Sequence, residues 1–302
     1  MRQHTIRKAV SLEGVGLHSG KTVRVTLAPA PADSGIVFRV GELGEPIPAT
    51  PESVVDSHYA TTVGRNGARI QTVEHLMAAA AGLGLDNLIV DVSSEELPGL
   101  DGSAKEFLDI LERGGQVPLP ALRRPIRIDT PIRVEDGTRW LRVFPCDTFR
   151  VSYTLDHDHP AIGLQAVTVE ITPKTFAEDV APARTYGFLK DVGAMRQRGL
   201  ARGGSLDNTI VVGKRTVLNE SLRFPDEFVR HKILDLVGDL FLLGRPIRGH
   251  VVARNAGHAM NHQLVAAIRK AAVPERRRFR SVAPVEALVA EAAYPSPGVA
   301  AL

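Results

Sequence analysis

Glu74-His75-Leu76-Met77-Ala78-Ala79-Ala80, closed by Gly82-Leu83-Gly84 and followed by Asn87-Leu88-Ile89-Val90-Asp91-Val92, reads as a helix, a glycine stop and an apolar strand. Glycine ends a helix readily because it accepts the left-handed backbone found there. The same order recurs downstream. His231 to Leu243 repeats the helical pattern, Gly244 and Pro246 stop it, and Ile247 to Ala253 reads as a strand. A histidine stands at the start of each expected helix. We read this as an internal duplication. Between the copies lies GGQVPLPALRRP, Gly114 to Pro125, whose three prolines and two glycines in twelve positions suit a linker. The expected division is therefore 1–120, carrying Glu74-His75, and 126–302, carrying His231, Asp235 and His258.

Strand signals fill much of the remainder. Lys21 to Leu27 alternates polar and apolar residues at period two, and Ile36 to Val40, Leu141 to Phe144, Arg150 to Leu155 and Val167 to Ile171 are similar. Few helices among many short strands, out of strict β-α-β order, predict α+β layers rather than a doubly wound sheet. No GxGxxG follows a strand and no Walker-type phosphate loop is present.

Composition narrows the class. The chain has 302 residues, enough for two ordinary domains, and 44% of them are hydrophobic. No apolar run is long enough to span a bilayer. The N-terminus MRQHTIRKAVSLEGVG has no apolar core of a secretory signal, so a cytoplasmic protein is expected. One cysteine, Cys146, excludes an internal disulfide framework and a thiolate-rich zinc site. The net charge of +3 would suit a phosphate-bearing ligand. The run Arg276-Arg277-Arg278-Phe279-Arg280 reads as a solvated face, because no RNA-binding motif accompanies it; no nucleic-acid partner is expected.

His231 and Asp235 are four residues apart, which on a helix puts both side chains on one face. Asp239 continues that face by another turn. His75 from the other copy completes a set of two nitrogens and one oxygen, which suits zinc and leaves a fourth position for water. A structural zinc site would close that fourth position with protein. The spacing alone is weak, since His and Asp at i and i+4 are more often a surface pair. Glu74 points about 100° away from His75, so it would lie beside the ion as a base rather than bind it. The bland alternative is a glutamate favoured by the helix N-terminus. His258, after Gly257, could serve as a general acid with Asp239 supporting its protonated form; the competing reading is a structural histidine. His157 and His159 share a face by strand alternation, but Pro160 follows and no glutamate stands beside them, so a loop or strand end is expected. His18, within Gly14-Val15-Gly16-Leu17-His18-Ser19-Gly20, reads as a hairpin residue.

Seven motifs in order give the chain a family resemblance: Gly14 to Gly20; Thr72-Val73-Glu74-His75-Leu76-Met77-Ala78; Asp101-Gly102-Ser103-Ala104; Ala183-Arg184-Thr185-Tyr186-Gly187-Phe188; Ser205-Leu206-Asp207-Asn208; Phe228 to Asp235; and Gly257-His258-Ala259-Met260-Asn261. Together they span nearly the whole chain. It resembles the zinc-dependent UDP-3-O-acyl-N-acetylglucosamine deacetylases of lipid A biosynthesis. That resemblance implies two similar α+β sandwich domains with their helices pressed together and the active site at the domain interface. It implies His75, His231 and Asp235 as zinc ligands, Glu74 as base, and His258 as acid supported by Asp239. It further implies Lys232 near the reaction centre and Thr185 as a holder of the oxyanion. A small insert near 188–212 would shape a passage for the substrate's acyl chain, with Leu189, Val192, Met195, Ile210 and Val211 as candidate lining. Two departures stand out: Tyr186 replaces a usual phenylalanine, and Gly99 stands where a branched residue is expected.

The function expected on these grounds is hydrolysis of the N-acetyl group of UDP-3-O-acyl-N-acetylglucosamine, the committed step of lipid A biosynthesis, by a monomer using Zn2+, with Fe2+ able to take the same ligands. The lipid substrate implies an encounter with the membrane surface in a Gram-negative-type bacterium. A zinc amidohydrolase acting on another acylated sugar, and a non-catalytic binding protein of the same fold, are the competing readings.

Overall fold

The computed structural model describes residues 1–41 and 43–272. The arginine-rich run at 276–280 and the end of the expected second domain lie outside the described residues. Along the chain, strands β1 (Arg2–Ile6), β2 (Val10–Val15), β3 (Thr22–Pro29), β4 (Ile36–Val40), β5 (Ile47–Pro48), β6 (Val54–Asp56), β7 (Thr62–Arg65) and β8 (Ala68–Gln71) precede helix α1 (Glu74–Leu83). Then come β9 (Leu88–Val92), α2 (Lys105–Gly114), β10 (Gln116–Leu122), β11 (Ile126–Arg127), β12 (Ile132–Asp136), β13 (Arg139–Phe144), β14 (Phe149–His157) and β15 (Gly163–Glu170). A helical turn α3 (Pro173–Thr175) runs into a wide turn at Phe176–Val180, followed by β16 (Tyr186–Phe188), α4 (Leu189–Gln197), β17 (Ile210–Val212), α5 (Glu227–Phe241), β18 (Ile247–Arg254) and α6 (His258–Ala271). The architecture is α+β, as the element order predicts.

Two sheets dominate and follow one pattern. The first runs β2-β3-β9-β4-β5 and the second β12-β13-β18-β14-β15, with β11 beside β18. In each, the strand that follows a long helix is central. β9 pairs antiparallel with β3 and parallel with β4. β18 pairs antiparallel with β13 and parallel with β14. Both central strands are apolar on the inner face: Leu88, Val90 and Val92 in one, Val251 and Ala253 in the other, are buried. Helix α2 lies against β2, α6 against β12 and β13, and α5 against β14 and β15.

Helix α1, which leads into the first large sheet, crosses α5, which leads into the second. Small residues make that crossing close. A Cβ added to Gly238 of α5 would stand 2.1 Å from the Glu74 carbonyl oxygen, so only glycine lets the two backbones come this near. At the other end of α1, Gly82 leaves the socket that the Phe176 ring fills, with an added Cβ 2.1 Å from its edge. Helix α1 is consequently buried on nearly every side, including Glu74 and His75. Gly84 ends it in the left-handed conformation (φ 71°) that the sequence pattern requires.

Two expectations are corrected here. The segment read as a linker contains a strand: β10 pairs antiparallel with β1, His4 opposite Pro118. The pair forms a sheet of its own, so the prolines cost no ladder bond on its open side. Helix α5 begins at Glu227, four residues before His231, so that histidine sits in the second turn and not at the helix start. The cause is an ion pair. The fully buried Glu227 carboxylate takes the Arg184 guanidinium (2.8 Å) and the backbone N–H groups of Arg184 and Arg223, anchoring the first turn.

Candidate active site

The α1–α5 crossing brings His75 to His231 and Asp235. One potential ligand atom from each lies within 4.8 Å of the others, and all three are buried. His231 Nε2 is 3.2 Å from Asp235 Oδ1 and His75 Nε2 is 3.9 Å from the same oxygen. The imidazole rings stand edge to face, 5.1 Å apart at 88°. His231 Nδ1 donates to the Ala183 carbonyl at 3.1 Å, which leaves a lone pair on Nε2 in the neutral ring. Burial, reinforced by the neighbouring His231, holds His75 down at about 3. Burial likewise lowers His231. Burial alone would raise Asp235, but His231 and Lys232 outweigh it and keep the carboxyl well below its ordinary value. A neutral nitrogen therefore faces a carboxylate oxygen, acceptor against acceptor, at 3.2 Å. This contact is repulsive unless a cation lies between the two atoms, so the donor set fits a divalent metal with nitrogen and oxygen preference.

Lys232 occupies the other side of Asp235, donating from Nζ to Oδ2 at 2.5 Å. Its burial opposes the charge, but Asp235, Tyr186 and Tyr153 more than compensate and raise the ammonium above its usual range. Lys232 is thus a fixed cation. Its Nζ also lies 5.9 Å from the centre of the Tyr186 ring. That ring packs on Phe228 at 5.0 Å and stands 6.5 Å from His231, so Tyr186 lies close to the candidate metal-binding cluster.

Glu74 and His258 flank the cluster from opposite elements. Glu74, first residue of α1, is 3% exposed, and burial pushes its carboxyl up to about 8 despite the opposing influence of His258. His258 begins α6, and its Nε2 lies 4.0 Å from both Glu74 Oε1 and Asp235 Oδ2. Its Nδ1 donates to Asp239 Oδ2 at 2.8 Å. Burial would lower this histidine, but the Asp239 charge and hydrogen bond reverse the sign and raise it to about 9. Asp239 itself is fully buried, and His258 with the other donors around it keeps it ionised against the cost of burial. All of α5's predicted site residues, His231, Lys232, Asp235 and Asp239, therefore converge with Glu74, His75 and His258.

Thr185 is held by its backbone, donating N–H to the Gly102 carbonyl (2.7 Å) and accepting from the Ile210 N–H (2.8 Å). It lies two residues beyond Ala183, whose carbonyl orients His231. A Cβ on Gly102 (φ 84°) would stand 2.0 Å from the Asn208 carbonyl, so the Asp101-Gly102 turn and the Ser205-to-Asn208 turn touch here. His157 and His159 both pack on the Phe188 ring, His157 stacked at 5.0 Å and His159 edge-on at 5.9 Å. His157 ends β14, as the strand-end reading expects. His18 is buried in the β2–β3 turn, where its N–H and that of Ser19 each donate to the Glu96 carboxylate at 2.7 Å. Glu96 also accepts a long bond from Thr72 Oγ1 at 3.5 Å. Thr72, two residues before α1, has a left-handed backbone (φ 62°).

Three residues to which pattern reading assigns no role belong to this neighbourhood: Thr61 and His262, which lie outside the quoted motifs, and Asn261, which closes one of them. Thr61 donates its N–H to Glu74 Oε2 (3.0 Å) and its hydroxyl to Asp239 Oδ1 (2.6 Å). Asn261 donates to Asp239 Oδ2 (2.8 Å), and His262 lies 3.0 Å from the Thr61 hydroxyl. The spacing of His258 and His262, one helical turn, was a usable signal for the last; Thr61 carries none.

Residues 3–270 match the family described as UDP-3-O-acyl N-acetylglycosamine deacetylase, LpxC. Relatives named UDP-3-O-acyl-N-acetylglucosamine deacetylase include one from Myxococcus xanthus, 48% identical over 284 residues, covering 91% of this chain and 90% of the relative. One from Anaeromyxobacter dehalogenans is 50% identical over 264 residues, 87% of this chain and 86% of its own. A third, from Acidithiobacillus ferrooxidans, is 46% identical over 273 residues, 89% and 90% respectively.

Proposed function

Since this chain belongs to the UDP-3-O-acyl-N-acetylglucosamine deacetylase family, we propose that it hydrolyses the N-acetyl group of UDP-3-O-acyl-N-acetylglucosamine in lipid A biosynthesis, giving acetate and the free amine. The observation that carries this reading is the acceptor-to-acceptor contact of His231 and Asp235 beside His75, with Glu74 and His258 on either side of it. His75, His231 and Asp235 would hold Zn2+, and Fe2+ accepts the same donors. When bound, such an ion supplies Lewis acidity toward the amide carbonyl and makes water more acidic.

The protein's own groups do the proton work. Glu74 takes a proton from the attacking water; a carboxyl raised toward neutrality is well matched to that task. His258, kept charged by Asp239, delivers a proton from Nε2 to the departing nitrogen. Lys232, a fixed cation on Asp235, and Thr185 are the donors we assign to negative charge developing on the carbonyl oxygen, and one such donor is typically worth a few kcal/mol in the transition state. Water enters, one C–N bond breaks, and acetate and an amine leave, so no other reactant is required.

The unit of β16, α4 and β17 is suited to the acyl chain. Helix α4 buries none of its residues, and Leu189 at its start is 51% exposed. Val192, Met195 and Val211 are partly covered, whereas Ile210 is fully buried and supports the unit from below. The common strand order and pairing sense of the two large sheets supports an internal duplication into 1–120 and 126–302, with the site at the seam between the halves.

The test is acetate release from UDP-3-O-acyl-N-acetylglucosamine by the purified chain, before and after chelation and with zinc restored. Activity lost to the chelator and regained with one equivalent of zinc supports the reading. No release from a folded, zinc-loaded sample moves it to another acylated sugar or to a binding role.

A further inference from the structure

Thr61 lies between β6 and β7, and its residue is wholly buried. Every polar group it has is committed. The N–H donates to Glu74 Oε2 at 3.0 Å, and the carbonyl accepts from the Val73 N–H at 3.2 Å, at the start of α1. The hydroxyl lies 2.6 Å from Asp239 Oδ1 and 3.0 Å from His262 Nε2. An ionised carboxylate only accepts, so the hydroxyl hydrogen goes to Asp239. The oxygen then offers only lone pairs to His262, and His262 Nε2 must carry a hydrogen. His262 Nδ1 becomes the lone-pair nitrogen, and it is buried with no hydrogen-bond partner among the described residues. His258 Nδ1 is 3.4 Å from the same hydroxyl, but its 2.8 Å bond to Asp239 Oδ2 claims its hydrogen. Asp239 is thus held on both oxygens: Thr61 on Oδ1, His258 and Asn261 on Oδ2.

We propose that Thr61 and His262 are positioning residues that hold the two proton-transferring side chains in one frame. The Thr61 backbone aims the Glu74 carboxylate. Its hydroxyl, polarised by the His262 N–H, fixes Asp239 and through it the tautomer and direction of His258. One threonine therefore ties the α1 side of the reaction to the α5–α6 side. The inference rests on the reading of Glu74 as base and His258 as acid.

The test is a set of substitutions in the full-length zinc-loaded chain. Thr61→Val keeps size and backbone N–H but removes the hydroxyl. It should lower kcat about 10- to 100-fold, the loss expected for a hydrogen bond to a buried charge, while KM moves less than about twofold. Thr61→Ser should restore kcat to within about threefold, since it keeps the hydroxyl. His262→Gln, whose amide can still donate, should retain more activity than His262→Leu. Zinc content and thermal midpoint are measured alongside, because a packing defect would move those and not the kcat-to-KM split. The second readout needs no turnover: nitrogen NMR of histidine-labelled protein, with His262→Gln to identify the signal, should show a neutral ring protonated at Nε2. A ring protonated at Nδ1, or wild-type kcat in Thr61→Val, overturns the proposal. Should Thr61→Val not fold, the tautomer and the comparison of Gln with Leu at 262 decide. Failure of the deacetylase reading looks different: the wild-type chain releases no acetate while the tautomer remains readable.

Discussion

At the scale of single residues, the proposed roles separate groups that would bind an ion from groups that would move protons. Glu74 lies on the first turn of α1 beside His75, yet its carboxylate turns to the Thr61 N–H and the His258 ring. Glu74→Ala should therefore keep zinc near one equivalent and lose about 10²- to 10⁴-fold in turnover, the usual contribution of a general base; metal analysis paired with acetate release checks both halves. His231→Ala removes a proposed ligand whose far nitrogen is already tethered to Ala183, and zinc titration should show a large loss of affinity. His258→Ala should flatten the alkaline limb of the rate profile, because the wild-type ring, raised to about 9, is charged below that pH and loses its proton above it. An unchanged limb would make His258 structural. The pairing of His231 with Asp235 in the candidate metal cluster was legible in the sequence because helical spacing maps i and i+4 to one face. Thr61 was not, because its role depends on where α1, α5 and α6 meet, and no local pattern encodes that meeting.

At the scale of elements, the site depends on how closely two helices cross. Gly238 faces the Glu74 carbonyl, and a methyl group there would have to push α1 away. Gly238→Ala should cost about 1–3 kcal/mol as an overpacked contact. It should also weaken metal binding, since His75 rides on α1 and its partners on α5. Thermal unfolding with and without zinc separates the two effects, and an unchanged midpoint would refute the contact. Helix boundaries show where pattern reading stops. Gly84 was a clear stop, whereas the start of α5 was set by Glu227 and Arg184, an ion pair 43 residues apart in sequence. Strand β10 was hidden by Pro118 and Pro120, which read as linker chemistry until β1 supplies the pairing partner.

At the scale of the whole molecule, polar ties add to the helix crossing. Asp101, ahead of α2, accepts from Arg223, ahead of α5, at 2.7 Å and from the Ser103 hydroxyl at 2.8 Å. Burial would raise this carboxyl, but those donors win and hold it below its ordinary value. A group lowered on folding stabilises above its unfolded pKa, about 3.9, and loses that contribution as pH falls through the lower folded value. Asp101→Asn should accordingly melt below wild type by a constant margin from pH 7 to about 5, with the margin closing toward pH 3. Calorimetry across that range checks it, and a margin that widens on acidification would contradict the assignment. No helix among the described residues is long and apolar enough to cross a membrane.

Thr72 holds a left-handed backbone with a β-branched side chain, a conformation that costs on the order of 1–3 kcal/mol. A laboratory selection for heat resistance alone would be drawn to that position, because glycine there relaxes the chain. The same change would free the two residues leading into Glu74 to sample other directions. Hardier variants of this protein obtained that way should be slower ones, and a lineage that must grow quickly has reason to keep the strain.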